Sequence, residues 1–162
     1  SMGAVIAVAA ARAAPERFSA LLSLEGNLTA ADAWASGRAA RHDDPDAFHR
    51  ALREAVWRKA ADSPGMRRLA CAGLAADPLT LWSLGREVAA RGDAVGRAYA
   101  DLSLPRLYAF DRASTPAETV AFIEAHGLAA HEFAGVGHVP TVDAPADVAA
   151  VAARFFTGPS AG

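Results

Sequence analysis

Residues 134–156 read AGVGHVPTVDAPADVAAVAARFF. The first half has the marks of a loop. Gly135 and Gly137 form a small-residue turn, His138 follows, and Pro140 and Pro145 punctuate what comes next. The second half, 146–156, is small and apolar and predicts a closing helix. Before the loop, AAHEF (129–133) predicts a short strand. Strand, loop, helix is the unit from which a parallel sheet covered by helices is built. In open sheets of that kind, ligand sites lie beyond the carboxyl ends of the strands. The loop is expected to hold His138 at such an edge.

Further toward the N-terminus the same alternation continues. PRLYAFD (105–111) predicts a strand. STPAETVAFIEAHG (114–127) predicts a helix with Thr115 as its cap, Pro116 first, Glu118 closing a capping box and Gly127 ending it. From Thr29 to about Leu104 the pattern is helical throughout, with no strand evident. TAAD opens with a capping Thr29 and an acid three residues on. Asp44-Pro45, Ser63-Pro64 and Asp77-Pro78 each set a capping residue before a proline at the first helical position. Gly37, Gly73, Gly85, Gly92 and Gly96 read as punctuation between short helices. Trp34, Trp57 and Trp82 read as helix-packing residues, the sharper alternative being an aromatic pocket wall. At the front, Gly3–Ala14 is small and apolar on every side, which suits a helix buried all round. FSALLSLE (18–25) predicts a buried parallel strand and Gly26-Asn27 a turn. The chain thus divides into 1–28, 29–104 and 105–162.

Composition adds bounds. At 162 residues the chain has the length of one domain. With 52% hydrophobic and 21% charged residues it is core-rich and globular. A net charge of −2 gives no reason to expect a nucleic-acid or membrane partner. The single Cys71 excludes an internal disulfide and a Cys-rich zinc site and fits a reducing compartment, so a cytoplasmic location is expected. The apolar run 3–11 is far short of the roughly 20 residues that span a bilayer. As a signal-peptide core it lacks a basic segment before it. No His/Cys/Asp cluster has ligand spacing, so neither metal nor cofactor is expected.

The order of segments resembles the C-terminal half of an α/β-hydrolase. The carrying stretches are SMGA…AAARAAPERFSALLSLEGN, the helical segment, LPRLYAFDRAST and AGVGHVPTVDAPADVAAVAARFF, together nearly the whole chain. In that family a nucleophilic serine in a tight elbow starts a buried helix, and a strand follows. An inserted helical cap and further strand–helix units then lead to a loop with the catalytic histidine. The resemblance implies an α/β fold with 1–28 as core helix and strand, 29–104 as helical cap and 105–162 as C-terminal core. The first half of the family fold is missing. Three strands and an apolar helix would leave a sheet edge open and the helix bare. A second chain carrying the N-terminal half is therefore expected, made by cleavage before Ser1 or from a separate gene.

Ser1-Met2-Gly3 matches the second half of the elbow. The alternative is a serine left by an expression tag before a start methionine. The elbow reading is favoured, because the residues after it continue the family pattern in register. A serine hydroxyl needs a base, and His138 is the candidate. His42, His49, His126 and His131 read as surface residues. The histidine needs a carboxylate to fix its tautomer. Glu25 and Asp111 compete for that role, each at a strand end, with Glu25 favoured. Asp111 is followed by Arg112, a ready surface partner. Asp143 reads as a helix cap and Glu132 as a surface charge. The Met2 backbone N–H is the expected oxyanion donor. These residues imply a serine hydrolase acting on a small-molecule ester, thioester or amide through an acyl-Ser intermediate. The alternatives are acyl transfer by the same triad, or a non-catalytic binding protein on this scaffold.

Overall fold

Three short strands form a parallel sheet: β1 (Leu21–Leu24), β2 (Arg106–Asp111) and β3 (Ala130–Phe133), in the order β1-β2-β3. Leu21 lies opposite Arg106, and Tyr108 opposite Ala130. The computed structural model describes residues 1–158. Parallel neighbours need crossovers, and here they are helical. The central strand β2 is buried on both faces, as such strands must be. On one face Tyr108 and Phe110 pack with Val8, Leu28, Tyr99 and Ile123. On the other Ala109 packs with Phe133, Val151 and Leu24. The Tyr108 hydroxyl donates to the Gly26 carbonyl at 2.7 Å, and burial raises its phenol well above the ordinary value.

Helix α1 (Met2–Ala13) precedes β1, after a single 3₁₀ turn at Pro15–Arg17. It differs from the expectation of burial all round. Val5, Val8 and Ala11 are buried, a stripe at helical spacing, while Ile6 is 59% exposed. Burial depends on what packs against a helix. Among the described residues the sheet stops at β1, so the outer face of α1 has nothing to pack on.

Between β1 and β2 run two 3₁₀ turns (Ala30–Ala33 and Ser36–Arg41) and four helices: α2 (Pro45–Arg58), α3 (Pro64–Ala75), α4 (Pro78–Arg91) and α5 (Ala94–Ala100). The start signals act as their chemistry requires. Asp44 accepts from Ala47 N–H at 2.8 Å, Ser63 from Met66 at 3.1 Å and Asp77 from Thr80 at 2.8 Å. Each such cap stabilises by about 1 kcal/mol. The glycines differ from their reading as punctuation. Gly92 does end α4, but Gly73, Gly85 and Gly96 lie inside helices. At Gly85 and Gly96 the reason is close approach: a Cβ would meet the Ser36 carbonyl oxygen at 2.6 Å and that of Leu28 at 2.4 Å. This helical segment has a small core, Val56, Ala60, Met66 and Ala70, with Trp34, Leu52 and, from beyond β3, Val139 against them.

After β2 come α6 (Ala117–Ala125), β3, a short α7 (Pro140–Asp143) and α8 (Pro145–Thr157). Pro116, not Thr115, is the cap of α6, and Glu118 closes no capping box there. The Thr115 hydroxyl is committed elsewhere, to Glu25.

Candidate active site

The site is assembled where β1 and β2 end. Glu25, the residue after β1, has φ +49°, in the left-handed region. For a residue with a Cβ that costs roughly 1 kcal/mol. It is only 6% exposed. Its Oε1 accepts the Asp111 backbone N–H at 2.5 Å and the Thr115 hydroxyl at 3.3 Å. Its Oε2 lies 3.3 Å from His138 Nδ1. The turn that begins at Glu25 also holds Ser1. The Ser1 nitrogen donates to the Glu25 carbonyl, and the Ser1 carbonyl accepts the Asn27 N–H at 3.2 Å. Ser1 as a residue is exposed, but its nitrogen lies against that turn. Ser1 stands at the N-cap of α1 and makes no side-chain capping bond.

Asp111, the last residue of β2, is 3% exposed. Its Oδ2 accepts the Gly137 N–H at 2.7 Å and its Oδ1 the Ala113 N–H at 3.0 Å. Burial alone would raise this carboxyl. The N–H groups of Gly137, Ala113, Val136 and Gly135 outweigh it and hold the carboxyl below the usual carboxylate range. The expected surface pair with Arg112 does not form. Arg112 turns outward to Glu132 at 3.1 Å and Glu124 at 3.4 Å, which raises its guanidinium and leaves Glu132 a surface charge.

His138 is held through Nδ1. Among the described residues its Nε2 has no hydrogen-bond partner, and no hydrogen bond joins it to Ser1. The ring stands between two cavities that share Trp34. One, about 240 Å³, is mainly apolar and is lined by Ser1, Met2, Phe48, Leu52 and Val56. The other, about 360 Å³, is lined by Lys59, Asp62, Ser63, Asp111 and Ser114. Of the three tryptophans, only Trp34 walls a cavity beside His138. Lys59 sits 4.4 Å over the Trp34 ring. Trp57 is 59% exposed, and Trp82 donates to the His42 carbonyl at 2.8 Å.

Several other residues differ from their sequence reading. Asp143 does not cap the helix that follows it but caps the first turn of α3 from across the fold. It accepts from the Ser63 hydroxyl at 2.9 Å and the Gly65 N–H at 2.8 Å, tying the histidine loop to the start of α3. His49 is buried, its Nε2 2.8 Å from the Gly73 carbonyl. Two contributions were missed. Thr115 supports Glu25. Asp32 closes its capping box with Thr29 and also accepts from Thr119 across the fold at 2.8 Å, beside the cavity that holds Ser1. Among the described residues no group of three or more His, Cys, Asp or Glu is placed to hold a metal ion, and no helix is long and apolar enough to cross a membrane.

No family model matches the chain, and no curated protein does. Among solved structures, a thermophilic esterase from Thermogutta terrifontis, determined with malate bound, shares the fold. The TM-score is 0.67 over 96% of this chain, at 18% sequence identity, and the chain spans 62% of the esterase's length. At that identity the likeness speaks for the fold.

Proposed function

We propose that the chain is the triad-bearing part of an α/β-hydrolase that cleaves an ester, thioester or amide through an acyl-Ser intermediate. The observation that carries the reading is the His138–Glu25 contact at 3.3 Å, with the other ring nitrogen unengaged and Ser1 lining the same cavity as the ring. In this reading Glu25 fixes the Nδ1–H tautomer and supports the imidazolium. His138 Nε2 takes the proton of the Ser1 hydroxyl as Oγ attacks the acyl carbon, and later returns it to the leaving group. The Met2 N–H, at the first position of α1, is one donor to the oxyanion; loss of such a donor costs about 3 kcal/mol. The apolar cavity takes the acyl part, and residues 29–104 act as the cap that walls it. A fluorophosphonate probe tests this: it should label Ser1, and His138→Ala should abolish the labelling.

The reading includes a second polypeptide segment carrying further strands. Leu21 gives its N–H to Pro105, just before β2, and Glu25 to Ala109 within it, so by alternation those of Leu22 and Leu24 face the open edge of the sheet. Ser23 Oγ and both side-chain amide atoms of Asn27 are buried without a partner among the described residues, a costly state that a covering segment relieves. The bare face of α1 flanks the same edge. Hydrogen exchange at the Leu22 and Leu24 amides should be fast in this chain alone and slow once the covering segment is added. A folded monomer with those amides already protected argues against a partner.

A further inference from the structure

The proposed triad leaves a buried carboxylate unused. Asp111 is as enclosed as Glu25 and ends the adjacent strand, yet both of its oxygens face backbone N–H groups rather than the imidazole. Its main chain is engaged as well, since its own N–H meets Glu25 Oε1 at 2.5 Å. One residue therefore touches both sides of the Glu25–His138 contact: the acid through its amide, and the residue before the base through its carboxylate.

We propose that Asp111 is a positioning residue that registers His138 on Glu25, its carboxylate clasping the Gly137 N–H of the histidine loop while its own N–H fixes the Glu25 carboxylate. This rests on the hydrolase reading for its purpose, though not for its geometry.

The loop needs such a clasp. Gly135 and Gly137 have φ of +70° and +75°, and glycine populates other regions as readily, so the chain before His138 has no strong conformational preference of its own. A bond from a backbone N–H to an ionised carboxylate is about twice as strong as a neutral one and selects one loop geometry. The selection matters because the Nδ1–Oε2 distance is already 3.3 Å. A loop shift of about 1 Å would break that contact, and misplacements of that size cost about 100-fold in rate. The charge also counts. The charged groups facing His138 are Glu25 and Asp111 at the strand ends, Asp32 and Arg53 across the apolar cavity, and Lys59 and Asp62 across the polar one. Arg112, the nearest cation in sequence to Asp111, points away toward Glu124 and Glu132.

The test is NMR of the His138 ring in the chain, with Asp111→Asn beside the unaltered protein. Asparagine keeps the size but lacks the charge, and its NH₂ faces one of the two N–H groups that Asp111 accepts. The Nδ1–H resonance should be lost or shifted, and fluorophosphonate labelling of Ser1 should slow by about tenfold or more. A folded Asp111→Asn protein whose Nδ1–H resonance and labelling rate match the unaltered ones overturns the proposal. If that variant does not fold, the unaltered protein decides. On acidification the Gly137 amide resonance should move with the Asp111 carboxyl, and a Gly137 amide indifferent to it overturns the proposal. Should the ring respond as expected while unaltered Ser1 never labels, the hydrolase reading fails and the positioning role stands.

Discussion

Strands β1 and β2 run side by side and each ends in a buried carboxylate, but the two carboxylates have been left with different work. At the end of β1, the backbone N–H of Asp111 and the hydroxyl of Thr115 share Glu25 Oε1, and Oε2 remains for the His138 ring. At the end of β2, backbone N–H groups take both oxygens of Asp111. Burial does not separate them, and their positions differ by a single residue of register, Glu25 following the Leu24–Ala109 pair and Asp111 lying two beyond Ala109. What separates them is which lone pairs the main chain has already claimed. A carboxylate with one oxygen pinned and one free is aimed; one with both oxygens on the backbone is a brace. The left-handed turn at Glu25 belongs to the same difference, since the cost of that conformation falls on the residue whose side chain meets the ring.

The comparison breaks most sharply on Glu25→Gln. The amide oxygen can still accept from Asp111 and Thr115, so the fold should survive, but the charge behind the imidazole is gone. The rate of Ser1 labelling should fall by about 10⁴-fold, with circular dichroism unchanged. If Glu25→Gln labels at the unaltered rate while Asp111→Asn loses most of its labelling, the two carboxylates have exchanged roles.

A smaller effect sharpens the brace. The native Asp111 carboxyl lies below the usual range, because backbone N–H groups outweigh burial. A depressed carboxyl contributes stability that is full above its unfolded value of about 3.9 and is lost as pH falls through the native value. Denaturant unfolding of the unaltered protein and of Asp111→Asn, compared from neutral pH down into the acid range, should give a stability gap that closes only below about pH 4. A gap that stays constant with pH would show that the Asp111 contribution is not that of its charge.

What the sequence disclosed follows the range of each interaction. The caps at Asp44, Ser63 and Asp77 were legible because each bond spans three residues and is written in the local pattern. Thr115 was misread for the opposite reason: its local setting is that of a cap, but its hydroxyl goes to a residue 90 positions away. Gly85 and Gly96 look like helix stops until another segment's carbonyl oxygen is found against them. The outer face of α1 reads as buried because composition records what a helix is suited to, not what stands beside it. The Glu25–His138 contact spans 113 residues. It was reachable only through the order of strands and the resemblance that order supports. The clasp on Gly137 could not be foreseen, since a backbone amide carries no sequence signature.

The most direct measurement is the mass of the Ser1-containing peptide after exposure of the chain to a fluorophosphonate, done in parallel on His138→Ala. The account predicts a stoichiometric adduct on Ser1 in the unaltered chain and none in the variant, with both proteins folded. An unlabelled Ser1 in the folded chain, or an adduct that forms equally fast without His138, contradicts it.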